Sequence, residues 1–235
     1  MINGQQRLGA SASKQADQIA HLFDFADVLI DKEDGPDLTP THLQGQRLGR
    51  AGLVRSPSGD DSQPRLFWCF QGGKELEQLS AALSKSASVF GLRSRHLAVE
   101  YNADNLKGLG TLYADEIEGL APTGTLFLGG NCQGGLVMRE AGVELMRRGR
   151  DVALTILMEQ GRFPHYPGRT LLLFGARSYL NPYGQIDSPE QIFRTAYSGG
   201  HQVEIIPGAH GTYFTPENIA GLAESIERHL VREMC

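Results

Sequence analysis

Short apolar segments alternate with amphipathic segments from residue 65 to the end of the chain. The apolar segments are nearly continuous in hydrophobic residues, which is typical of strands covered on both faces of a sheet. They occupy residues 65–70, 88–92, 125–130, 151–159, 170–175 and 202–208. Apolar residues recur at helical spacing over residues 74–85, 106–120, 135–149, 188–199 and 216–234. This alternation, with short links, predicts an α/β fold whose mostly parallel, doubly wound sheet is flanked by helices.

The N-terminal quarter of the chain lacks this alternation. Residues 1–16 are small and polar, as in a tail, whereas residues 17–31 carry apolar side chains at helical spacing and predict an amphipathic helix. Residues 32–64 are rich in Gly, Pro, Asp and Ser, so we expect them to be irregular. We therefore divide the chain into an N-terminal segment, residues 1–64, and an α/β domain, residues 65–235.

The composition and net charge of the chain argue against several classes of partner and cofactor. The chain has 235 residues, a net charge of −5 and 40% hydrophobic residues, and this weakly acidic balance predicts neither nucleic acid nor a membrane as a partner. No apolar run approaches the roughly 20 residues of a membrane-spanning helix, and no signal-peptide pattern opens the chain. Three scattered cysteines indicate a reducing compartment, so we expect a cytoplasmic protein. No Cys or His cluster has zinc-site spacing, so we expect no metal.

The strongest chemical signal follows the third apolar segment. Gly130-Asn131-Cys132-Gln133-Gly134 matches the nucleophile-elbow pattern G-x-S-x-G of α/β-hydrolases, with cysteine in place of serine. The turn from strand to helix is so tight that side chains two positions before and after the nucleophile would collide. The start of the following helix is expected to favour a thiolate. Cys132 is thus a candidate nucleophile; the alternative is a buried structural cysteine in a glycine-rich turn.

The partners of the nucleophile are sought after later strands. The α/β-hydrolase order places the base last, which selects His210 in the loop after the final strand. The acid is less simple, because the G-x-x-D stretch after the penultimate strand ends in Ser178. Glu159 ends the apolar strand that follows the nucleophile helix, and we expect it to orient His210. Asp187 is the reserve acid, although its sequence context is that of a turn residue before a helix.

An acyl-transfer site also needs two donors for the oxyanion. One is expected from the backbone N–H of Gln133, the residue after the nucleophile. The other is expected from the loop after the first strand of the domain, at Gln71 or Gly72, where the glycine allows close backbone approach.

Residues 65–230 resemble the thioesterase domains of nonribosomal peptide and polyketide synthetases. LFWCFQGG is similar to the opening strand and HPAGG-like loop of that family, and GLRSRHL to its "yglqsRgl" strand end. GTLFLGGNCQGGLVM resembles the family's elbow, ELMRRGRDVALTILME the segment that carries the acid, and PGAHGTY the segment that carries the histidine. The resemblance implies an α/β-hydrolase fold and a Cys132–His210–Glu159 triad.

Besides Phe70 in place of the HPAGG histidine, three departures from this family matter. Cys132 replaces the usual serine, and Glu159 replaces the usual aspartate. The lid usually inserted after the acid is reduced, because only residues 160–168 precede the next strand. An open site would admit water, so residues 17–64 are expected either to pack across the carboxyl ends of the strands and replace the lid, or to dock on the flank of the sheet as a linker.

The resemblance implies a substrate and a partner. The substrate would be a peptidyl or acyl thioester, delivered on the phosphopantetheine arm of a carrier-protein domain of the same synthetase, with no other cofactor. Release would follow by hydrolysis or by cyclisation; similar cysteine-bearing thioesterases include ones that close four-membered lactam or lactone rings, as in monobactam assembly. Two alternatives stay open: a stand-alone cysteine hydrolase of the dienelactone-hydrolase type, and a non-catalytic relative that acts as a binding module.

Overall fold

The computed structural model describes residues 43, 45–57, 62–72 and 74–234. The strands are β1 (Gln46–Leu48), β2 (Val54–Ser56), β3 (Arg65–Phe70), β4 (Ser88–Arg93), β5 (Leu126–Asn131), β6 (Val152–Met158), β7 (Thr170–Gly175) and β8 (His201–Ile206). The helices are α1 (Glu75–Ala82), α2 (Ala103–Leu120), α3 (Gln133–Arg147), α4 (Pro189–Ala196) and α5 (Ile219–Met234). Within these described ranges, no helix is both long and apolar enough to cross a bilayer.

The strands form one sheet in the order β1-β2-β4-β3-β5-β6-β7-β8. Strands β3 to β8 are parallel to one another, and β1 and β2 join antiparallel at one edge. After β3 the chain adds β4 on one side and then returns to add β5 on the other. This reversal opens a crevice at the carboxyl ends of β3 and β5, where ligands bind in open α/β sheets.

Both faces of the sheet are covered by helices. Successive side chains of a strand point to opposite faces, so alternate residues of β3 enter different cores. Phe67 and Cys69 pack in a core with α2 and α3, whereas Leu66, Trp68 and Phe70 pack in a core with α1 and α5. Helix α4 packs on the first of these faces, beside α3. The predicted doubly wound α/β-hydrolase architecture is confirmed, and the boundaries of its six strands and five helices differ from the predicted ones by at most three residues.

The predicted irregular stretch of residues 32–64 contains two strands, β1 and β2. Their turn uses Gly49 and Gly52 at positive φ, 87° and 69°, and Ala51 N–H donates to Glu116 Oε1 of α2 over 2.8 Å. Such short strands show no alternation, so the sequence pattern could not indicate them. Residues 45–57 extend the sheet at its edge instead of crossing its carboxyl ends, which corrects that part of the lid hypothesis. The predicted helix over residues 17–31 lies outside the described residues, and the domain division stays a prediction.

The link after β6 is as reduced as the sequence indicates. Residues 160–168 are all described and contain no helix. The link is held down by Tyr166, which is fully buried and shares a 2.6 Å hydrogen bond with Thr155 Oγ1 of β6. No segment between β6 and β7 therefore rises over the site as a helical lid.

Candidate active site

Cys132 stands at the turn between β5 and α3 in a strained backbone conformation. Its φ and ψ are 48° and −118°, a region that residues other than glycine rarely adopt. A Cβ on Gly130 would lie 2.6 Å from the carbonyl carbon of Gly134. A Cβ on Gly134 would lie 2.2 Å from the carbonyl oxygen of Cys69 on β3. Gly130 is therefore required by the turn itself, and Gly134 by the close approach of the start of α3 to β3.

Gln160 holds this turn from the neighbouring strand end. Its Nε2 donates to the carbonyl oxygen of Cys132 over 2.9 Å and to that of Met158 over 3.0 Å. The Cys132 N–H also donates to the carbonyl oxygen of Met158, over 2.8 Å. A Cβ on Gly135 would lie 2.3 Å from Gln160 Nε2, so the absence of a side chain at Gly135 makes room for the Gln160 amide. The sequence analysis did not identify Gln160. Gly135, a glycine that the elbow pattern does not itself require, was a signal that another group packs closely at this position.

The structure brings His210 and Glu159 together. His210 Nδ1 lies 3.1 Å from Glu159 Oε2, and the Glu159 side chain is only 1% exposed. A carboxylate accepts the hydrogen bond, so Nδ1–H donates and Nε2 is left as the nitrogen that can take a proton. Glu159 therefore sits where it can fix the imidazole tautomer that a general base requires.

Several donors hold the Glu159 carboxylate. Besides His210, Gly175 N–H donates to Oε1 over 2.9 Å, and the Ser178 hydroxyl donates to Oε2. Glu159 itself has a φ of 58°, a conformation that costs energy and persists only where surrounding contacts impose it. Ser178 occupies the sequence position where an acid was first sought, and there it supports the acid that Glu159 supplies instead.

The reserve acid does not reach the histidine. Asp187 is exposed in the turn before α4, and His210 Nδ1 is bonded to Glu159. The geometry therefore favours Glu159 over Asp187 as the orienting group.

The Cys132 sulfur lies in a partly desolvated environment. Burial raises the pKa of the Cys132 thiol above its usual value, and the Glu159 charge raises it further. Hydrogen bonds from the Gln71 side chain and the Gln133 backbone N–H act in the opposite direction but do not outweigh burial. The start of α3 thus favours the thiolate through the Gln133 N–H, as the sequence indicates, but desolvation is the larger effect and the pKa of the Cys132 thiol is raised on balance.

Cys132 and His210, both within the described residues, are not hydrogen-bonded to each other. The His210 ring instead lies edge-to-face against Tyr179, with ring centroids 5.1 Å apart. Hydrogen bonds between catalytic groups are often long without substrate and tighten when it binds. Tyr179 was not singled out by sequence reasoning, and its 66% exposure places it at the open side of the histidine.

The two sides of the expected oxyanion hole differ. Gln133 is the first residue of α3, so its N–H has no partner within the helix and faces Cys132. Gln71 N–H, in contrast, donates to the Glu75 carboxylate over 3.3 Å, and Gly72 N–H also bonds to Glu75. Burial raises the pKa of Glu75 to about 7. The Gln71 side-chain Nε2 donates to Gln133 Oε1 across the crevice.

The other cysteines are poor candidates for the nucleophile. Cys69 is fully buried in β3, and burial raises the pKa of its thiol. Cys235 lies outside the described residues. In the part of the chain that the structure describes, no three His, Cys, Asp or Glu side chains come together in a way that could hold a metal ion.

Comparison with curated proteins finds similarity over short stretches of large synthases. The chain is 39% identical to "Polyketide synthase 1" of Metarhizium brunneum over 83 residues, which is 33% of this chain and 4% of that protein. It is 36% identical to "Malpinin synthetase" of Mortierella alpina over 95 residues, 40% of this chain and 1% of that protein. The chain thus spans only a small fraction of these relatives. No protein-family model matches it.

Comparison with solved structures extends over most of the chain. The NocB thioesterase domain from the nocardicin cluster superposes with a TM-score of 0.61 at 20% identity, over 76% of this chain and 99% of that one. YbtT, a type II thioesterase from the yersiniabactin pathway, gives 0.61 at 14% identity, over 78% of this chain and 100% of that one. The surfactin thioesterase domain SrfTE gives 0.54 at 16% identity, over 75% and 95%. The chain accordingly has the α/β-hydrolase fold, in an arrangement similar to that of synthetase thioesterases.

Proposed function

We propose that this chain is a thioesterase domain of a nonribosomal peptide synthetase, and that Cys132 carries the acyl group. The observation that carries the proposal is the joint placement of a cysteine on a nucleophile elbow and of His210, bonded to the buried Glu159, at the carboxyl ends of one sheet. Nucleophile, base and orienting acid are the parts that covalent acyl transfer requires. Similarity to thioesterases of the same fold supports a thioester as the substrate class.

The first half-reaction moves the acyl group to the enzyme. Cys132 Sγ attacks the thioester carbonyl carbon while its proton passes to His210 Nε2. Because burial raises the pKa of the Cys132 thiol, attack depends on this base and not on a preformed thiolate. As the tetrahedral intermediate collapses, the bond to the pantetheine sulfur breaks, and His210 returns the proton to that sulfur, which leaves as a thiol. Glu159 stabilises the imidazolium between the two proton transfers.

The second half-reaction releases the product. An amine or hydroxyl of the acyl group attacks the Cys132 thioester, or water does, and His210 passes the proton of that nucleophile to Sγ. A thioester on Cys132 is close in energy to the thioester on the carrier, whereas a serine ester is more stable. The cysteine therefore keeps the acyl group activated, which favours intramolecular closure, including closure of a strained β-lactam or β-lactone ring.

The proposed partner is a carrier-protein domain of the same synthetase. Its phosphopantetheine arm presents the peptidyl or acyl thioester, and the chemistry needs no further cofactor. The short link at residues 160–168 contains no helix, so it forms no helical lid between the arm and Cys132.

Intact-protein mass spectrometry after mixing with an acyl-loaded carrier protein tests this function. We expect an acyl adduct on Cys132, together with free thiol on the carrier arm. A stand-alone hydrolase of the dienelactone-hydrolase type would instead hydrolyse lactones and take no acyl group from the carrier. Lactone turnover without any adduct from the carrier would reject the proposed function.

Cys132→Ser should lower the ratio of cyclised to hydrolysed product formed from one carrier-bound substrate. A serine oxoester is a poorer acyl donor to an internal amine, while His210 can still activate water. The ratio is measured by liquid chromatography with mass detection, under conditions where wild type and variant consume equal substrate. An unchanged ratio and an unchanged rate would show that the sulfur has no special part in closure.

A further inference from the structure

We propose that the second donor of the oxyanion hole is the side-chain amide of Gln71, and not a backbone N–H of the loop that carries it. The inference rests on the proposed acyl transfer, because the oxyanion forms only when Cys132 attacks a carbonyl. The first donor is the backbone N–H of Gln133 at the start of α3.

The backbone donors of the loop after β3 serve another group. Gln71 N–H and Gly72 N–H both bond to the carboxylate of Glu75. Glu75 is the first residue of α1, so its side chain folds back over the loop that leads into its own helix. These N–H groups are already engaged by the Glu75 side chain, so they are poorly placed to receive an oxyanion as well.

The side-chain amide of Gln71 reaches the elbow instead. Its Nε2 donates to Gln133 Oε1, and this hydrogen bond bridges the crevice between β3 and β5. An amide nitrogen has two N–H donors, so one is left after this bond. The Gln71 side chain also hydrogen-bonds toward the Cys132 sulfur, where it opposes the effect of burial on the thiol, as the Gln133 N–H does.

Two donors thus converge on the sulfur from opposite walls of the crevice. When Sγ bonds to the carbonyl carbon, the π electrons of the C=O bond move to its oxygen, which is bonded to that same carbon. The donors nearest Sγ are therefore the ones within reach of the developing charge. Gln133 has two parts in this arrangement: its N–H donates, and its side-chain oxygen fixes the orientation of the Gln71 amide.

Gln71→Met removes the side-chain donors and keeps the backbone N–H and a similar side-chain length. We expect kcat for a carrier-bound acyl thioester to fall about 10²- to 10³-fold, the usual cost of losing one oxyanion donor, with little change in KM. Gln63→Met is the matched control, because it makes the same change at the other end of β3, where Gln63 Nε2 donates to the Ser84 carbonyl oxygen. It should keep the wild-type kcat.

The rate of Cys132 alkylation by iodoacetamide against pH gives a second readout that needs no substrate. Gln71→Met should shift this profile to higher pH. In the wild type the Gln71 hydrogen bond lowers the pKa of the Cys132 thiol, and the substitution removes it. A wild-type kcat with an unshifted profile, or a loss confined to KM, overturns the proposal and returns the role to the backbone donors. If the wild-type protein takes no acyl group from the carrier, the proposed function itself fails. The alkylation profile is measured without substrate, so it still shows whether the Gln71 amide contacts the Cys132 sulfur.

Discussion

Cys132→Ala should lower kcat for a carrier-bound acyl thioester by about six powers of ten, as removal of a catalytic nucleophile does elsewhere. The acyl group then has no sulfur at the elbow to receive it, and the Glu159–His210 pair can only assist direct attack by water. Alanine has the same Cβ as cysteine, so the strained turn at φ 48° is neither relieved nor worsened. The loss should therefore appear in single-turnover kinetics of a protein with wild-type thermal unfolding.

Alkylation provides the control for this result. Iodoacetamide should label Cys132 well before Cys69, because Cys69 is fully buried and burial raises the pKa of its thiol. Peptide mapping after partial labelling assigns the site, and the extent of labelling should match the loss of activity. Wild-type turnover in Cys132→Ala would place the acyl group elsewhere and reject the elbow as the reactive centre.

The positions of the main site residues could be predicted because each is tied to the end of a strand. Parallel strands bring their carboxyl ends to one edge, so Glu159 after β6 and His210 after β8 meet once the loops are short. Gly130 and Gly134 identify the elbow because a Cβ is excluded at both, at Gly130 by the turn and at Gly134 by the backbone of β3. The same logic selected Glu159 as the candidate acid, since a carboxylate that ends an apolar strand needs a partner.

The site features that the sequence could not predict depend on side-chain contacts formed only in the folded protein and on the balance between desolvation and hydrogen bonding. Gln160 supports the elbow through a contact that no sequence spacing specifies. The bond from Gln71 to Glu75 likewise follows from how the loop closes onto α1, which sequence alone leaves open. The state of the Cys132 thiol depends on whether desolvation or the helix terminus contributes more, and this balance is set by packing.

Glu159→Gln offers a test of the acid because the two oxygens of the carboxylate have different partners. Gly175 N–H can only donate, so the single oxygen of a glutamine amide is fixed at the position of Oε1. The amide nitrogen then faces the Ser178 hydroxyl and His210 Nδ1. The hydroxyl can rotate and accept, but the imidazole must move its proton to Nε2. In that tautomer His210 cannot take the proton of the Cys132 thiol.

Glu159→Gln should therefore lower kcat about 10⁴-fold, the scale of loss when the base is held in the wrong tautomer, with little change in KM. Asp187→Asn makes the same chemical change on an exposed carboxylate and should keep a near-wild-type rate. Ser178→Ala removes one donor to Glu159 but leaves the His210 bond, so its loss should be smaller than that of Glu159→Gln. The three variants are compared in single-turnover acylation of Cys132 with one carrier-bound substrate. A larger loss in Asp187→Asn than in Glu159→Gln would move the orienting acid to the turn before α4, and would mean that the loops rearrange before acyl transfer.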